Sequence, residues 1–299
     1  PAVQKRKAAA LKKKPVVPRK NPLATKNDSD ETSKQRGQTV IGMGYRREMH
    51  AWDLSSLPID FVEVIPENWL RRDRQRLHAL ISRGVTVRLH AVSLNLGGTS
   101  ALDKAFLASV SALMDELGTS FFSDHLAASG DAHQLYDLFP IECTQAQVIR
   151  VSDRIQAVQE QLGCRIAVEN ATWYTNRGDM AEVEFIQAVV DRSGCQWLLD
   201  LNNVTVNHKN HGLLSLPEFV SQMDLSTVSY LHVAGHEFDP RLGMFIDTHS
   251  QRVEPQTARL AAQLQYMHGL DVLLEWDNDI PSQEVFNQEL ACLRHFLTT

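Results

Sequence analysis

The chain has 299 residues, of which 43% are hydrophobic and 22% are charged, an ordinary balance for a globular protein with one large core. Its formal net charge is −6, and no apolar run approaches the roughly 18 residues that a membrane-spanning helix needs, which argues against an integral membrane protein. The four cysteines, Cys143, Cys164, Cys195 and Cys292, form no Cys-x-x-Cys pair, so we expect neither a disulfide scaffold nor a thiolate zinc site. The start of the chain has no apolar signal-peptide core, and the reducing cytoplasm is the simplest compartment.

Residues 1–37 differ from the remainder in charge and composition. They contain eleven Lys and Arg against three Asp and Glu, a formal charge of +8 that leaves −14 for residues 38–299. The segment is rich in Lys, Pro, Ser and Asn, and it has too few large apolar residues to offset its own ordering entropy. We therefore predict a disordered basic tail at 1–37 and a single domain at 38–299. A solubilising role is the simplest for the tail, and the acidic domain makes nucleic acid an unlikely partner.

From residue 38 onward, short apolar and β-branched runs alternate with segments of helical spacing. The predicted strands, in chain order, are 39–45, 61–66, 86–92, 121–126, 165–170, 197–204, 229–235 and 271–277. The predicted helices are 101–117, 144–162, 179–192, 253–268 and 283–297. Glycines fall where four of these helices should end, at Gly118, Gly163, Gly194 and Gly269. Thr144 and Ser282 are candidate helix N-caps.

Eight strand–helix repeats in about 260 residues predict an α/β fold of the (β/α)8 TIM-barrel type. A doubly wound open sheet is the alternative, and it normally carries a Gly-rich phosphate loop after an early strand. Gly42 and Gly44 lie inside the first predicted strand without the full G-x-G-x-x-G pattern. Gly97 and Gly98 are not followed by the Lys-Ser/Thr of a phosphate-binding loop. The pattern therefore favours the barrel.

Polar side chains collect at the carboxyl ends of the predicted strands, where a (β/α)8 barrel builds its active site. Nine of the twelve histidines lie at these ends or in the loops that follow them, together with several Asp, Glu and Asn residues. Imidazoles and carboxylates that converge on one mouth need a cation or a dense hydrogen-bond network to compensate them. A mixed set of nitrogen and oxygen ligands suits iron, manganese or zinc. At least eight candidate ligands are too many for one ion, so we predict two or three ions, with Glu169 as the first choice for a bridging carboxylate.

Other residues near the predicted mouth allow two interpretations each. Arg46, beside Arg47 and His50, is a candidate for binding a substrate carboxylate, and a solvated pair of arginines is the alternative. Arg88 faces the same way as His90 and is a second substrate-binding candidate, although an inward Arg in a barrel usually pairs with a carboxylate. Asn202 and Asn203 are either ligands or turn residues. Packing is the simpler role for Cys164 and Cys195 at the opposite rim, and barrel packing or a pocket wall is expected for Trp69, Trp173, Trp197 and Trp276.

Nine blocks of the sequence resemble, in order, those of the multinuclear non-heme iron-dependent oxidases, a family that includes the methanobactin-biosynthesis oxidase and the thiaglutamate-pathway enzyme. The blocks are GMGYRREMH, FVEVIPENW, LHAVSLNLGG, SDHLA, AVENAT, LLDLNNVTVNHKNHG, HVAGH, IDTHS and LLEWDNDIP, and the resemblance spans residues 40–281. It implies a xylose-isomerase-like barrel with two or three iron ions and O2 as co-substrate. It also implies a ribosomally synthesised precursor peptide as substrate, commonly modified at cysteine, and a companion protein that recognises the peptide's leader.

The resemblance further implies a set of site residues. The metal ligands expected from it are His50, Asn68, His90, His125, Glu169, Asp200, Asn203, His211, His232, His236 and Glu275. Asp247 and His249 are candidates for an additional iron or for proton transfer. The family usually has Glu at the position of Asp124 and an aromatic residue at the position of Ala128, so these two departures leave the local pocket shape open.

Three other functions remain as alternatives on the same barrel. A metal-dependent sugar isomerase generally places a Lys at a strand end, and here the nearest Lys, Lys209, falls in a predicted loop. A metal-dependent endonuclease would need a basic face around the mouth, which the −14 charge of residues 38–299 disfavours. A non-enzymatic metal-binding scaffold would not need so many ligands at an open mouth.

Overall fold

The computed structural model describes residues 39–130, 138–175 and 177–298. The predicted tail at 1–37 lies outside the described residues. Among the helices that are described, none is both long enough and apolar enough to cross a membrane.

Eight parallel strands close into a barrel, as the sequence predicts. They are β1 Ile41–Gly44, β2 Phe61–Val64, β3 Thr86–Ala91, β4 Phe122–His125, β5 Ala167–Glu169, β6 Gln196–Asp200, β7 Val228–Val233 and β8 Asp271–Leu274. Each strand pairs with the next along the chain, and β8 pairs with β1 through Ile41–Val272 and its neighbours. The parallel arrangement places all eight carboxyl ends at one mouth, and this is where the functional residues lie.

The helices surround the barrel. They are α1 Gln75–Ile81, α2 Lys104–Leu117, α3 Gln145–Leu162, α4 Glu182–Ser193, α5 Leu201–His211, α6 Leu216–Ser221, α7 Pro255–His268 and α8 Gln283–Thr298. All five predicted helices are confirmed, as α2, α3, α4, α7 and α8. The four glycines expected at helix ends adopt the left-handed backbone conformation of a C-cap, which residues without a Cβ adopt without strain.

The segment after β6 differs from the prediction of a strand over 197–204. The strand ends at Asp200, and α5 begins at Leu201 without an intervening loop. The physical reason is a helix cap, because a side-chain oxygen of Asp200 accepts a hydrogen bond from the backbone N–H of Asn203 at 2.6 Å. Asn202, Asn203 and Lys209 therefore lie on a helix rather than in a strand or a loop.

Two loops at the mouth carry short antiparallel hairpins. One pairs Ala127–Ala128 with Phe139–Pro140 after β4, and the other pairs Glu237–Asp239 with Met244–Ile246 after β7. Between β1 and β2 the chain forms two 3-10 turns, Arg47–Ala51 and Leu54–Ser56.

The apolar core has two parts. The larger part lies between the sheet and the helices and includes Trp69, Trp197 and Trp276, as the sequence predicts for these tryptophans. Cys195 is buried in it and Cys164 packs against it, which confirms their expected packing role. The smaller part comes from inward-facing residues of five strands, Phe61, Ala167, Leu198, Tyr230 and Leu273. This inner layer fills the barrel below the mouth, so that polar side chains at the strand ends rest on a packed apolar floor.

Candidate metal centre

Eight side chains at the barrel mouth form three groups of potential metal ligands. In each group the ligand atoms lie within 4.8 Å of one another, and the groups are His90–His125–Glu169, Glu169–Asp200–His232–Glu275, and His249–Glu275–Asp277. Glu169 belongs to the first two groups and Glu275 to the last two. The shared carboxylates therefore join the three groups into one continuous cluster.

The first group stands on three neighbouring strands, β3, β4 and β5. Glu169 Oε2 lies 2.9 Å from His90 Nε2 and 3.4 Å from His125 Nε2, and the two imidazole nitrogens are 3.4 Å apart. Burial acts to lower the pKa of His125, but the carboxylates of Glu169 and Asp124 outweigh it and raise that pKa to about 9. Burial acts to raise the pKa of Glu169, but the three neighbouring histidines outweigh it and lower that pKa well below its ordinary value.

The second group is the most deeply buried. His232 Nδ1 lies 3.0 Å from Glu275 Oε2, 3.4 Å from Glu169 Oε1 and 4.0 Å from Asp200 Oδ2. All four side chains are buried, and three of them are carboxylates. Burial, with the nearby charges of Glu169 and Asp247, raises the pKa of Asp200 well above its ordinary value. This concentration of negative charge in a dry environment creates a strong demand for a cation.

The third group lies between the loop after β7 and the end of β8. His249 Nδ1 is 3.3 Å from Glu275 Oε2 and 3.4 Å from Asp277 Oδ2, and His249 Nε2 is 2.7 Å from Asp247 Oδ1. His249 has a φ of 47°, which is uncommon for a residue with a Cβ. Its carbonyl accepts a hydrogen bond from the N–H of Asp277 at 2.8 Å, so the loop is tied to the strand end that supplies the other ligands.

The unpaired polar atoms of the site fit a metal centre. Within the described parts of the chain, six buried atoms of the three groups have no partner in hydrogen-bonding geometry, namely His125 Nδ1, Glu169 Oε2, Asp200 Oδ2, His232 Nδ1, His249 Nε2 and Glu275 Oε2. Buried polar atoms in native proteins are nearly always paired, and leaving one unpaired is costly. Imidazole nitrogens and carboxylate oxygens, with no thiolate among them, suit divalent metals such as iron, manganese or zinc. The ligand atoms and their lack of other partners therefore fit a site that holds several divalent ions at once.

Arg46 packs directly against this cluster. Its Nη2 donates to Glu275 Oε1 at 2.6 Å and its Nε donates to Asp277, while the side chain is only 7% exposed. The two carboxylates outweigh burial and raise the pKa of Arg46, so the guanidinium stays charged. Arg46 thus compensates part of the negative charge of the third group.

Five of the predicted ligands are not brought into these groups. His50 and Asn68 are exposed and line a small pocket with Tyr45, Arg46 and Arg72, because the first two loops turn outward in 3-10 segments. The remaining three, on or near α5, have other partners within the described chain: Asn203 donates to Asn170 O at 2.9 Å, His211 stacks on Trp173 with ring centroids 4.0 Å apart, and His236 Nδ1 lies 2.7 Å from Asn202 Oδ1.

Arg88, a predicted substrate-binding residue, lies away from the mouth. It pairs with Asp271, the first residue of β8, near the amino ends of the strands. Its guanidinium carbon lies 3.7 Å from the ring centroid of Phe61, 4.4 Å from that of Phe121 and 4.5 Å from that of Tyr230. Arg88 is thus enclosed by Asp271 and three aromatic rings. Among the described residues it makes no contact with the metal-ligand groups.

Asp277 completes the third group but was not among the expected ligands. A signal for it was present in the sequence, because residues two apart in an extended segment face the same side. Glu275 and Asp277 are such a pair, and the expected ligand set includes only Glu275.

Comparisons with known proteins identify the family. The family described as RiPP precursor modification enzyme MbnB/TglH/ChrH matches residues 40–298. The chain belongs to this family. A UPF0276 protein of Neisseria gonorrhoeae is 39% identical over 270 residues, which cover 86% of this chain and 95% of that protein. A UPF0276 protein of Alcanivorax borkumensis is 37% identical over 267 residues, covering 84% and 88% of the two chains. The resemblance found in the sequence blocks is thus confirmed, and the MbnB/TglH/ChrH family assigns the chain to the enzymes that modify ribosomally synthesised precursor peptides.

Solved structures agree on the barrel of this MbnB/TglH/ChrH family member. A xylose isomerase domain-containing protein of Salmonella typhimurium aligns with a TM-score of 0.60 at 13% identity, covering 87% of this chain and 98% of that one. A D-psicose 3-epimerase of Clostridium cellulolyticum aligns with a TM-score of 0.57 at 12% identity, covering 87% and 100%. At these identities the likeness establishes a xylose-isomerase-like fold, as predicted, and nothing about the reaction.

Proposed function

We propose that the protein is a multinuclear non-heme iron-dependent oxidase that uses O2 to modify a cysteine of a ribosomally synthesised precursor peptide. The family supports the class of substrate. The observation that carries the metal dependence is the convergence of eight His and carboxylate side chains whose unpaired buried atoms face one another at the mouth. An enzyme without metal would bury these groups at a large cost in stability.

The three ligand groups would hold two or three iron ions. Glu169 would bridge the first two positions and Glu275 the second and third, since each carboxylate belongs to two groups. When bound, iron supplies the redox chemistry that O2 requires and a positive charge that deprotonates a coordinating thiol. Asp200 and His232 would complete the middle position, and Asp277 with His249 would complete the outer one.

Asp247 and His249 form the proposed proton-transfer pair. Asp247 Oδ1 lies 2.7 Å from His249 Nε2, and Asn202 holds the same carboxylate oxygen through its side-chain amide at 2.6 Å. Asp247 is partly exposed, whereas the carboxylates of the middle group are fully buried. We assign Asp247 Oδ1 as the atom that accepts a proton from His249 Nε2 and passes it towards solvent.

Arg46 is the proposed anchor for the peptide. Two of its guanidinium nitrogens bind Glu275 and Asp277, while buried Nη1 has no hydrogen-bond partner among the described residues. The small pocket beside it carries two more arginines, Arg47 and Arg72. A carboxylate of the peptide would meet positive charge here, next to the metal-ligand cluster.

A companion protein that recognises the leader of the peptide belongs to the same proposal, as does action in the cytoplasm. The four cysteines are free among the described residues, and two of them are fully buried, which suits a reducing compartment.

The proposal is tested by reconstitution. Protein purified without oxygen is loaded with Fe(II), mixed with each short cysteine-containing peptide encoded beside its gene, and exposed to air. We expect a mass change on one peptide that requires both iron and O2 and is absent when that peptide's cysteine is replaced by serine. Manganese-dependent epimerisation of a ketose, with no change in any peptide, would contradict the proposal.

A further inference from the structure

A buried layer of hydrogen bonds lies directly beneath the metal-ligand groups and has no part in the function described so far. It consists of Glu63 on β2, Ser123 on β4 and Tyr230 on β7, together with the rear faces of His90 and His232. Each of the five residues is at most 2% exposed. The layer therefore sits between the ligand cluster and the apolar floor of the barrel, closed off from solvent.

The contacts run from one histidine to the other. His232 Nε2 lies 2.9 Å from Glu63 Oε2, and the hydroxyl of Tyr230 donates to the same oxygen at 2.5 Å. Tyr230 OH is 3.4 Å from Ser123 Oγ, and Ser123 Oγ is 2.9 Å from His90 Nδ1. In each histidine, the nitrogen that contacts this layer is the one that does not face the ligand group.

The direction of these hydrogen bonds follows from the chemistry of the partners. An ionised carboxylate only accepts, so His232 Nε2 must carry the proton that it shares with Glu63. Ser123 can donate to the carbonyl of Leu89, 3.4 Å away, which leaves its oxygen to accept a hydrogen bond from the N–H at His90 Nδ1. Both assignments leave the opposite nitrogens, His232 Nδ1 and His90 Nε2, free to offer a lone pair to a metal.

We propose that Glu63, Tyr230 and Ser123 are positioning residues that fix the tautomer and ring orientation of His232 and His90. Glu63 orients His232 directly, and Tyr230 orients Glu63. Ser123 orients His90. Partners of this kind hold metal-binding histidines in many proteins, and their loss typically weakens metal binding by about 10- to 100-fold. The inference rests on the metal centre of the proposed function, but it concerns residues outside the ligand groups.

The layer allows clean substitutions, because each hydroxyl can be removed while the packing remains. The Tyr230 ring packs edge-on against Phe61 and Phe121, with centroids 6.1 and 6.3 Å away, and a phenylalanine would keep both contacts. Replacing Ser123 by alanine removes the acceptor of His90, together with the two weaker 3.4 Å contacts of the hydroxyl with Leu89 O and Tyr230 OH. Ser152→Ala removes a buried hydroxyl that makes its hydrogen bond elsewhere, to Val189 O, and is therefore the matched control.

The experiment is a titration of the full-length, metal-free protein with Co(II), whose visible absorption reports ligand geometry. We expect Tyr230→Phe and Ser123→Ala each to weaken one class of Co(II) sites by about 10- to 100-fold and to change its spectrum. The control variant Ser152→Ala should titrate like the unaltered protein, and Ser123→Thr, which keeps a hydroxyl, should restore the affinity lost in Ser123→Ala.

The outcomes separate the inference from the proposed function. Unchanged Co(II) affinity and spectra in Tyr230→Phe and Ser123→Ala would overturn the inference, even if both variants melted at lower temperature, because the layer would then serve stability alone. A failure of the unaltered protein to bind Co(II) at all would overturn the proposed metal centre, and the inference with it.

Discussion

Glu169 faces two histidines at once, with its Oε2 2.9 Å from His90 Nε2 and its Oε1 3.4 Å from His232 Nδ1. One carboxylate thus places an oxygen in each of two neighbouring ligand groups. Because the side chain is only 1% exposed, water cannot compensate its charge, and the surrounding histidines or bound cations must do so. This relationship supports Glu169 as the bridge of a multinuclear centre.

Replacing the bridge should remove the centre. We expect Glu169→Gln to lose iron loading and to lose turnover, since an amide supplies one weak acceptor in place of two anionic oxygens. Metal analysis and mass spectrometry of the peptide measure the two effects. Glu116→Gln, on the exposed side of α2, is the control and should behave like the unaltered protein. Full iron content and activity in Glu169→Gln would rule out the bridge.

Two aspartates beside His249 have different proposed roles: Asp277 as a metal ligand and Asp247 in proton transfer. Asp277 belongs to the group with His249 and Glu275, whereas Asp247 lies outside the three groups, with its Oδ1 2.7 Å from His249 Nε2. We expect Asp277→Asn to lose one metal ion per chain. Asp247→Asn should keep the metal count and lower kcat by about 10- to 100-fold, as is typical for partners of metal-binding histidines. An equal loss of metal in both variants would show that Asp247 is itself a ligand.

Arg88 and Asp271 form a buried ion pair away from the metal-ligand groups, so its effect on stability can be measured separately from metal binding. Both side chains are 5% exposed. We expect Arg88→Met to reduce the free energy of unfolding by about 3–5 kcal/mol, because it removes the cation that is paired with the buried carboxylate of Asp271. Urea denaturation measures the loss. Metal content and KM for the peptide should stay unchanged, and a raised KM at normal stability would instead support the predicted substrate-binding role.

Metal uptake should release protons in a pH-dependent way. In the metal-free protein the pKa of His125 is raised from 6.5 to about 9, so this imidazole is largely protonated at neutral pH. A metal binds only the neutral form, and its affinity should therefore rise as the pH increases towards about 9. Co(II) competition at several pH values, with an indicator dye for released protons, measures this. Affinity that falls over the same range would contradict it.

The sequence predicts the scaffold well because the barrel repeats one simple pattern. Apolar runs of strand length alternate with amphipathic helices, and glycines such as Gly118 and Gly163 mark where helices end. The strand-end residues Glu169, Asp200 and Glu275 could be located for the same reason, since parallel strands bring their carboxyl ends together.

The loops and the start of α5 were less predictable. The end of β6 at Asp200 depends on a single hydrogen bond from this side chain, which caps a helix. Asn203 and His211 therefore lie on α5 rather than in a strand or a loop. His50 and Asn68 follow strands directly, but the turns after those strands carry them outward. The sequence predicts no role for Glu63, because its partner, His232, is 169 positions away in the sequence and meets it only across the barrel.

The most direct test of the central claim is the metal content per chain, determined by inductively coupled plasma mass spectrometry on protein purified without oxygen or chelators. The three linked ligand groups predict two or three iron ions per chain. A protein that contains no iron, and that binds none when Fe(II) is added back, would contradict the account.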